Sequence, residues 1–354
     1  MAPVPCLLNG FGRIGRLAMR IAYDSKDTSG IQVVHINDLA SVESSAYLLQ
    51  YDSVHGTWEH DVQVDDKGNI VITDAHTKEK QVITYSRHTS PKDLVLSECN
   101  GASMVLEGTG VFLTRDALQP YFDNGASKVV VTAPVKDAAN PVTNIVYGVN
   151  HAVYDPAKDS IVTAASCTTN CLAPVVKVIQ EKLTIRHGCI TTVHDVTNTQ
   201  SILDCPNTKK SDLRRARSAL VNLAPTSTGS ATAIALIFPE LKGKLNGLAI
   251  RVPLTNSSIT DCVFEVEKET TAEEVNALLK EAAEGELKGI LGYETKPLVS
   301  TDYINDPRSG IVDALSTQVI DKTLVKIYVW YDNEFGYSHR FVDVASMVAA
   351  SIKQ

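Results

Sequence analysis

Residues 1–165 alternate short apolar runs with amphipathic segments. The runs CLLNGFG, IQVVHIND, ASMVLEGTG, KVVVTAP and TNIVYGV have the length and composition of β-strands. The segments RIGRLAMRIAYDS and SVESSAYLLQYD space their apolar residues as α-helices do. Strands that alternate with helices in this way predict a parallel sheet joined by crossover connections.

The pattern changes after a helix that begins near Cys167. The segments CITTVHDVT, KLNGLAIRVPL, SSITDCVFEVEKE and TLVKIYVWYD alternate apolar and polar positions, as strands of a sheet with one covered face do. Among them, TAEEVNALLKEAAEGELKG is a predicted amphipathic helix with Thr271 as its N-cap, and FVDVASMVAASIKQ is a predicted last helix. Because 354 residues exceed one average domain, we expect two domains.

Composition restricts the classes of function. The apolar share is 44%, and no apolar run approaches the roughly 18 residues that a membrane span needs. The formal net charge of −8 argues against nucleic acid as a main partner. The N-terminus lacks the basic and apolar regions of a secretory signal. We therefore expect a cytoplasmic protein without a membrane partner.

Seven cysteines are scattered along the chain, and their number is odd. Their spacing matches neither a disulfide framework nor a zinc site. Cys167 and Cys171 do not form a C-x-x-C pair, and no histidine pair follows at the spacing of a zinc finger. We expect reduced thiols and no metal site.

A glycine-rich turn follows the first predicted strand and has the pattern G-x-G-x-x-G. Gly10 permits a tight turn, Gly12 lets the backbone approach a pyrophosphate, and Gly15 lets helix and strand pack closely. The next strand ends in Asp38, where a carboxylate accepts hydrogen bonds from an adenosine ribose and repels a 2′-phosphate. On its own, the glycine pattern is equally compatible with ordinary turn chemistry, and the alternative for Asp38 is a helix cap or a turn residue. Together the features predict a dinucleotide site that prefers NAD.

Cys167 lies where the apolar strand IVTAA ends and a helix begins. The dipole and the amides of a helix N-terminus favour the thiolate, which is the nucleophilic form of cysteine. Cys171 lies one helical turn further on and is expected to be a packed side chain. His194 is the best candidate for a base, because it lies in a predicted strand among polar residues. The sequence alone does not bring His194 next to Cys167, and a structural histidine is the alternative.

Eight motifs together resemble the glyceraldehyde-3-phosphate dehydrogenase family. NGFGRIGR, YDSVHG, ASCTTNCLAP, HDVTNTQ, RRAR, PTSTGSATA, RVPLTN and WYDNEFGYS occur in the order and spacing of that family, over essentially the whole chain. The resemblance implies an α/β fold with two domains. A Rossmann-type, doubly wound NAD-binding domain would cover residues 1–165 and be completed by a C-terminal helix over 334–354. An α+β catalytic domain with a mainly antiparallel sheet would cover 166–333.

The resemblance also implies the chemistry of a glycolytic homotetramer. Cys167 would attack the aldehyde of glyceraldehyde 3-phosphate to give a hemithioacetal, and His194 would take the hydroxyl proton while hydride passes to NAD. Inorganic phosphate would attack the resulting thioester and release an acyl phosphate. Asn333 would fix the nicotinamide carboxamide. The residues expected to bind the cofactor are Gly10, Phe11, Gly12, Arg13, Ile14, Gly15, Asp38, Thr132 and Asn333.

Two anion sites follow from the same resemblance. Thr197 and Arg251 would hold the phosphate of the substrate, and Arg215 would belong to the site of the attacking phosphate. Guanidinium forks, hydroxyls and glycine amides are the donors that phosphate oxygens require. Without the resemblance, the basic cluster around Arg215 would be interpreted as a solvated helix face. The residues expected to bind substrate or phosphate are Ser166, Thr168, Thr197, Arg215, Thr228, Gly229 and Arg251.

Three alternatives stay open. The same residues suit arsenate in place of phosphate, since the two anions are nearly isosteric, and HDVTNTQSILD, DLRRAR and DPRSGIVDALST are similar to a bacterial branch of the family associated with arsenate export. Erythrose 4-phosphate is another substrate for the same chemistry. A non-catalytic binding protein on the same fold is the third alternative.

In addition, Asn207–Ser211 looks longer than the matching loop of many relatives, a loop that lines the cofactor site across a subunit interface.

Overall fold

The computed structural model describes residues 2–135, 137, 139–206 and 212–352. The described chain divides into two compact units. The first unit takes its residues from 1–147, 151–165 and 338–354, and the second takes them from 148–150 and 166–337. In the described ranges, none of the helices combines the length and the apolar character that a membrane crossing requires.

The first unit is built on a sheet whose described strands have the order β3-β4-β5-β2-β1-β6-β7-β9-β8. The strands from β5 to β8 pair in parallel, whereas β3, β4 and β5 pair antiparallel. The strands are β1 (Val4–Asn9), β2 (Ile31–Asn37), β3 (Asp61–Val64), β4 (Ile70–Thr73), β5 (Lys80–Ser86), β6 (Met104–Glu107), β7 (Lys128–Val131), β8 (Thr143–Asn144) and β9 (Ile161–Thr163). The helices are α1 (Arg13–Asp24), α2 (Lys26–Ser29), α3 (Val42–Gln50) and α4 (Arg115–Asp123). The predicted parallel sheet with helical crossovers is confirmed, and the antiparallel extension is an addition to it.

Two glycines of the turn between β1 and α1 are required by close packing. Gly10 has φ +91°, and a Cβ added to it would lie 2.5 Å from the backbone nitrogen of Thr109. A Cβ on Gly15 would lie 2.2 Å from the carbonyl oxygen of Gly10. Any side chain at either position would therefore push the turn away from its neighbours. The roles predicted for these two glycines agree with this geometry.

The second unit is built on a sheet with the order β11-β12-β10-β13-β17-β15-β14, and β16 pairs with β17. Most of these pairs are antiparallel, while β10 with β12 and β14 with β15 are parallel. The strands are β10 (Ile185–His194), β11 (Ala224–Ser227), β12 (Leu245–Arg251), β13 (Ser258–Val266), β14 (Leu291–Glu294), β15 (Gly310–Asp313), β16 (Gln318–Ile320) and β17 (Leu324–Tyr331). The predicted mainly antiparallel sheet is confirmed.

Helix α5 (Cys167–Leu183) covers one face of this sheet and packs against β10, β13, β15 and β17. In β13, every second residue is buried, as the alternation in its sequence predicts. Helices α6 (Ser230–Ile237) and α7 (Ala272–Glu284) also pack on α5. Thr271 is the N-cap of α7, as predicted, and its side chain accepts a hydrogen bond from the backbone of Glu274.

The last helix, α8 (Phe335–Ile352), begins before the apolar pattern that starts at Phe341. The Asp332 carboxylate accepts hydrogen bonds from the backbone N–H groups of Glu334 and Phe335 at 2.8 and 2.7 Å. A carboxylate that satisfies first-turn amides stabilises a helix start there. Capping therefore sets the start of α8 ahead of its apolar stripe.

Candidate active site

Cys167 is the first residue of α5. Ser166 is the N-cap, and its hydroxyl accepts a hydrogen bond from the backbone of Thr169 at 3.3 Å. Ala165 has φ +56°, in the left-handed region that non-glycine residues rarely adopt. This turn presents the Cys167 thiol at the helix N-terminus, where the helix dipole favours a negative charge. The side chain of Cys167 is half-buried.

His194 is the last residue of β10, and its Nε2 lies 3.8 Å from Sγ of Cys167. The two residues predicted as nucleophile and base are therefore brought together. The contact arises because α5 packs on the sheet that contains β10. His194 is 4% exposed, so water reaches its ring only slightly. A thiol and an imidazole at this separation can share one proton.

The other ring nitrogen of His194 has charged neighbours. Nδ1 lies 2.9 Å from both the carbonyl oxygen and Oδ1 of Asp195, and 2.9 Å from Nη1 of Arg251. Burial lowers the pKa of His194, but the Asp195 carboxylate and the Cys167 sulfur outweigh it and raise that pKa to about 9. His194 thus favours its charged form beside the thiol.

Tyr331 supports the pair from behind. Its hydroxyl is hydrogen-bonded to the hydroxyls of Thr168 and Thr192 at 2.9 and 2.8 Å, and its ring meets His194 edge-on at 6.0 Å between centroids. Sequence reasoning missed Tyr331 because the alternation in β17 identifies it only as a buried position. Thr168 is predicted to bind phosphate, but its hydroxyl is hydrogen-bonded to Tyr331. The backbone N–H of Thr168 is therefore the group that can face an anion at the helix N-terminus.

A chain of hydroxyls links the start of α5 to the start of α6. Ser166 Oγ lies 3.3 Å from Ser230 Oγ, which lies 3.2 Å from Thr228 Oγ1. Gly229 is the N-cap of α6 and lacks a side-chain cap. Two helix N-termini and three hydroxyls make a site suited to an anion. The structure brings Ser166, Thr228 and Gly229 together as predicted residues and adds Ser230, which sequence reasoning missed.

Arg215 lies in a short 3₁₀ helix, Leu213–Ala216. Its Nε donates to Thr226 at 3.1 Å and its Nη1 donates to Thr199 at 3.3 Å. Thr199 also contacts Thr197, with 3.0 Å between the hydroxyls. Arg251 ends β12 in direct register with His194 on the parallel strand β10. The described contacts thus link Thr197 to Arg215 through Thr199, whereas Arg251 contacts His194 and the backbone carbonyl of Asp195.

The other basic residues of the cluster differ from Arg215. Arg214 pairs with Asp212 at 2.9 Å and Arg217 pairs with Asp204 at 2.6 Å, and both arginines are exposed. These two fit the solvated face that composition alone suggests. Asn207–Ser211, which is longer by sequence than the matching cofactor-lining loop of many relatives, lies outside the described residues.

The glycine turn fits a dinucleotide. A Cβ on Gly12 would meet nothing within 4 Å, and Gly12 caps α1 without a side chain. The start of α1 is thus open to a pyrophosphate. One Asp38 oxygen accepts the backbone N–H of Phe11 at 2.6 Å, which fixes the carboxylate beside the turn. The guanidinium of Arg13 pairs with Asp52. The side chain of Arg13 is therefore engaged, and its backbone N–H is the group that can face a ligand at the start of α1.

The remaining three residues expected to bind the cofactor lie in three different parts of the structure. Ile14 lies in the first turn of α1. Thr132 follows β7 and donates its backbone N–H to Glu107 at 2.9 Å. Asn333 is 6% exposed, and its Oδ1 accepts no hydrogen bond from the residues that the structure describes. An unsatisfied buried amide oxygen suits a donor such as a carboxamide.

All seven cysteines are free, at positions 6, 99, 167, 171, 189, 205 and 262. Across the described ranges, three or more His, Cys, Asp or Glu side chains nowhere form a group that could hold a metal ion.

Comparisons with known proteins give a consistent result. The family model of the NAD-binding domain of glyceraldehyde 3-phosphate dehydrogenase matches residues 4–115, and the model of its C-terminal domain matches residues 166–333. The chain is 55% identical to glyceraldehyde-3-phosphate dehydrogenase 3 of a Nostoc species, over 98% of both chains. It is 50% identical to glyceraldehyde-3-phosphate dehydrogenase of Geobacillus stearothermophilus, over 97% of both chains. For the enzyme of Zymomonas mobilis the identity is 46% over 99% of both chains.

Proposed function

The chain belongs to the glyceraldehyde-3-phosphate dehydrogenase family, and from this premise we propose that Cys167 is its nucleophile and His194 its base. The enzyme oxidises glyceraldehyde 3-phosphate in glycolysis, reduces NAD and forms 1,3-bisphosphoglycerate. The observation that carries the residue assignment is the 3.8 Å contact between Sγ and Nε2 at the start of α5.

The first step uses the charged pair. The Cys167 thiolate attacks the aldehyde carbon, and the proton on Nε2 of His194 passes to the carbonyl oxygen, which gives a neutral hemithioacetal. Burial of His194 keeps water from competing for that proton. Tyr331, held by two threonine hydroxyls, packs against the ring and limits its rotation.

The second step is the oxidation. Bound NAD supplies the acceptor for the hydride that leaves the hemithioacetal carbon. His194 takes the hydroxyl proton back at Nε2, so that a thioester on Cys167 and an imidazolium remain. Phosphate then attacks the thioester carbon and expels the thiolate, which the imidazolium and the start of α5 stabilise. The residues thereby return to their starting charges.

We assign one anion site to Arg251 and the other to Arg215, as the resemblance to the family implies. Arg251 and Thr197 bind the phosphate of the substrate. Arg215, together with the hydroxyl chain and the helix starts of α5 and α6, binds the attacking phosphate, and Thr168 contributes its backbone N–H. The support is the convergence of three hydroxyls and a glycine N-cap at α6.

The cofactor residues follow the same proposal. The open start of α1 would bind the pyrophosphate through Phe11, Gly12, Arg13 and Ile14. Asp38 would bind the adenosine ribose, and Thr132 would line the site. The Oδ1 of Asn333, which accepts no hydrogen bond within the described ranges, would accept one from the carboxamide. Residues 1–165 with the C-terminal helix would act as the NAD-binding domain, and 166–333 as the catalytic domain.

A homotetramer in the cytoplasm is the remaining part of the proposal. The segment that leads into and out of the Arg215 helix exposes large apolar side chains, with Leu213 at 82% and Val221 at 78% exposure. Ile202, Leu203 and Leu223 are exposed in the same segment. Apolar side chains gathered in this way are typical of a surface that another copy covers. Analytical ultracentrifugation of the purified protein tests the tetramer, and a monomer at micromolar concentration would refute it.

The test of the function is a spectrophotometric assay of NADH. Wild type and Cys167→Ser are compared with NAD and glyceraldehyde 3-phosphate, with and without phosphate. We expect phosphate-dependent NADH formation that the substitution abolishes. Arsenate in place of phosphate, and erythrose 4-phosphate in place of the triose, are further arms of the same assay. Turnover that survives Cys167→Ser would refute the assignment of the nucleophile.

A further inference from the structure

Asp195 places a buried carboxylate beside the base. The residue is 0% exposed, and its Oδ1 lies 2.9 Å from Nδ1 of His194. Neither carboxylate oxygen accepts a hydrogen bond from another residue in the described part of the chain. Burying a carboxylate away from water costs free energy of folding unless a cation compensates its charge. The position of Asp195 therefore calls for a positive neighbour.

Two cations act on this carboxylate. Arg251 directs Nη1 to the backbone carbonyl of Asp195 at 3.0 Å, and to Nδ1 of His194, rather than to the carboxylate. His194 is consequently the cation nearest to Oδ1, provided that its ring carries both protons. The other ionisable groups that face the pair are Cys167 on α5, Tyr331 on β17 and Glu334 before α8.

Two protonation patterns of the ring compete at Nδ1. If Nδ1 has no proton, it accepts from Arg251. If Nδ1 carries a proton, it donates to the oxygens of Asp195, and Nε2 faces the thiol. The second pattern compensates the buried carboxylate, whereas the first leaves it without a partner. Burial acts on Asp195 first and raises its pKa, while the His194 charge lowers it again.

We propose that Asp195 is a positioning residue that holds the Nδ1 proton of His194 and stabilises its imidazolium form. The site is then a Cys167–His194–Asp195 triad, in which the third residue acts through the second. The inference rests on the proposed roles of Cys167 and His194. Asp195 favours His194 charged before attack and again after hydride loss, the two stages at which Nε2 holds the proton.

The test measures the protonation of His194 directly. Deuterium exchange at the ring C2–H, followed by mass spectrometry across a pH series, reports the midpoint for this one histidine. The comparison is between Cys167→Ser and the double variant Cys167→Ser with Asp195→Asn, because removing the sulfur isolates the effect of the carboxylate. We expect the midpoint to fall by about one pH unit or more in the double variant, a tenfold loss of proton affinity.

Matched controls separate this role from a general loss of structure. Asp261→Asn in the same background removes a carboxylate of the same sheet that pairs with Lys326, and it should leave the His194 midpoint unchanged. Asp195→Ser offers a second, smaller replacement that should lower the midpoint as Asp195→Asn does. NAD binding by each variant checks that the protein is folded.

A second readout uses wild-type Cys167. Alkylation of its thiol near neutral pH should slow about tenfold in Asp195→Asn, and in strongly alkaline solution the rates of the two proteins should converge. An unchanged His194 midpoint in both Asp195 variants would overturn the proposal. If the midpoint falls in the Asp195 variants but the wild-type protein shows no dehydrogenase turnover, this inference stands and the proposed function is refuted.

Discussion

Cys171 lies one helical turn beyond Cys167 on α5, and the two thiols have opposite environments. Cys167 is half-buried beside His194, whereas Cys171 is fully buried, with its sulfur 3.8 Å from the hydroxyl of Thr260. Burial raises the pKa of the Cys171 thiol. One helix thus carries a thiol suited to nucleophilic attack and a thiol that only packs.

This difference predicts selective alkylation. In the native protein, iodoacetamide should modify Cys167 and leave Cys171 unmodified, because only the thiolate reacts and Cys171 is held as a covered thiol. Peptide mass spectrometry after a short exposure measures both sites, which lie on one tryptic peptide. The exposed Cys189 and Cys205 serve as internal references for an unassisted thiol. Modification of Cys171 at the rate of Cys167 would contradict the burial, and both should react after denaturation.

The separate roles proposed for Arg215 and Arg251 predict separable kinetic defects. Arg215→Lys should raise the KM for phosphate about tenfold, since a lysine cannot reproduce two guanidinium contacts, and should change the aldehyde KM less. Arg251→Lys should raise the aldehyde KM and also lower kcat, because Nη1 contacts the base. Steady-state kinetics in each substrate measures this. Arg214→Lys, on the exposed side of the same short helix, is the control, and an equal phosphate defect there would refute the assignment.

Much of the fold could be predicted because its determinants are local. The turn at Gly10 and Gly15, the N-cap at Thr271 and the helix start at Cys167 each depend on residues close together in sequence. Strands β3 to β5 were missed, because their antiparallel pairing extends a sheet that the alternation of strands and helices describes only in its parallel part. The identity of the strand neighbours is a property of the whole chain.

In the candidate site, too, the sequence predicts individual residues but not the contacts between them. Cys167 and His194 could be named as candidates, but their contact depends on how α5 packs on β10, which no local pattern encodes. Asp195 is harder still to predict. Neighbouring residues of a strand point to opposite faces, so a residue after His194 would be expected to point away from it. Because β10 ends at His194, the alternation no longer applies at Asp195, and its Oδ1 lies 2.9 Å from Nδ1 of the ring.

The ion pair of Arg13 and Asp52 predicts a pH-dependent contribution to stability. Burial alone would raise the pKa of Asp52, but Arg13 and the backbone N–H groups of His55 and Val54 lower it to about 2. A depressed carboxyl pKa stabilises the fold above the unfolded value near 4 and loses that effect as pH falls through about 2. Asp52→Asn should cost about 1–2 kcal/mol near pH 7, after allowance for solvent screening.

Urea unfolding of wild type and Asp52→Asn measures this at about pH 7 and about pH 3. The difference between the two midpoints should shrink at the lower pH, as wild type loses its charged carboxylate. Lys177→Met, which removes ion pairs with the more exposed Glu181 and Glu286, is a comparison that should cost less. A gap between wild type and Asp52→Asn that stays constant with pH would show that the charge of Asp52 contributes nothing.

The glycine turn gives a prediction that separates folding from cofactor binding. A Cβ on Gly15 would lie 2.2 Å from a backbone oxygen, so Gly15→Ala must displace the turn and should cost about 2–4 kcal/mol of stability. A Cβ on Gly12 would meet nothing within 4 Å, and Gly12→Ala should cost about 1 kcal/mol or less. The same methyl group would occupy the space through which the backbone approaches a pyrophosphate. Gly12→Ala should therefore weaken NAD binding about tenfold or more while the fold persists. Thermal unfolding and calorimetric titration with NAD measure the two effects, and a Gly12→Ala protein that binds NAD like wild type would place the pyrophosphate elsewhere.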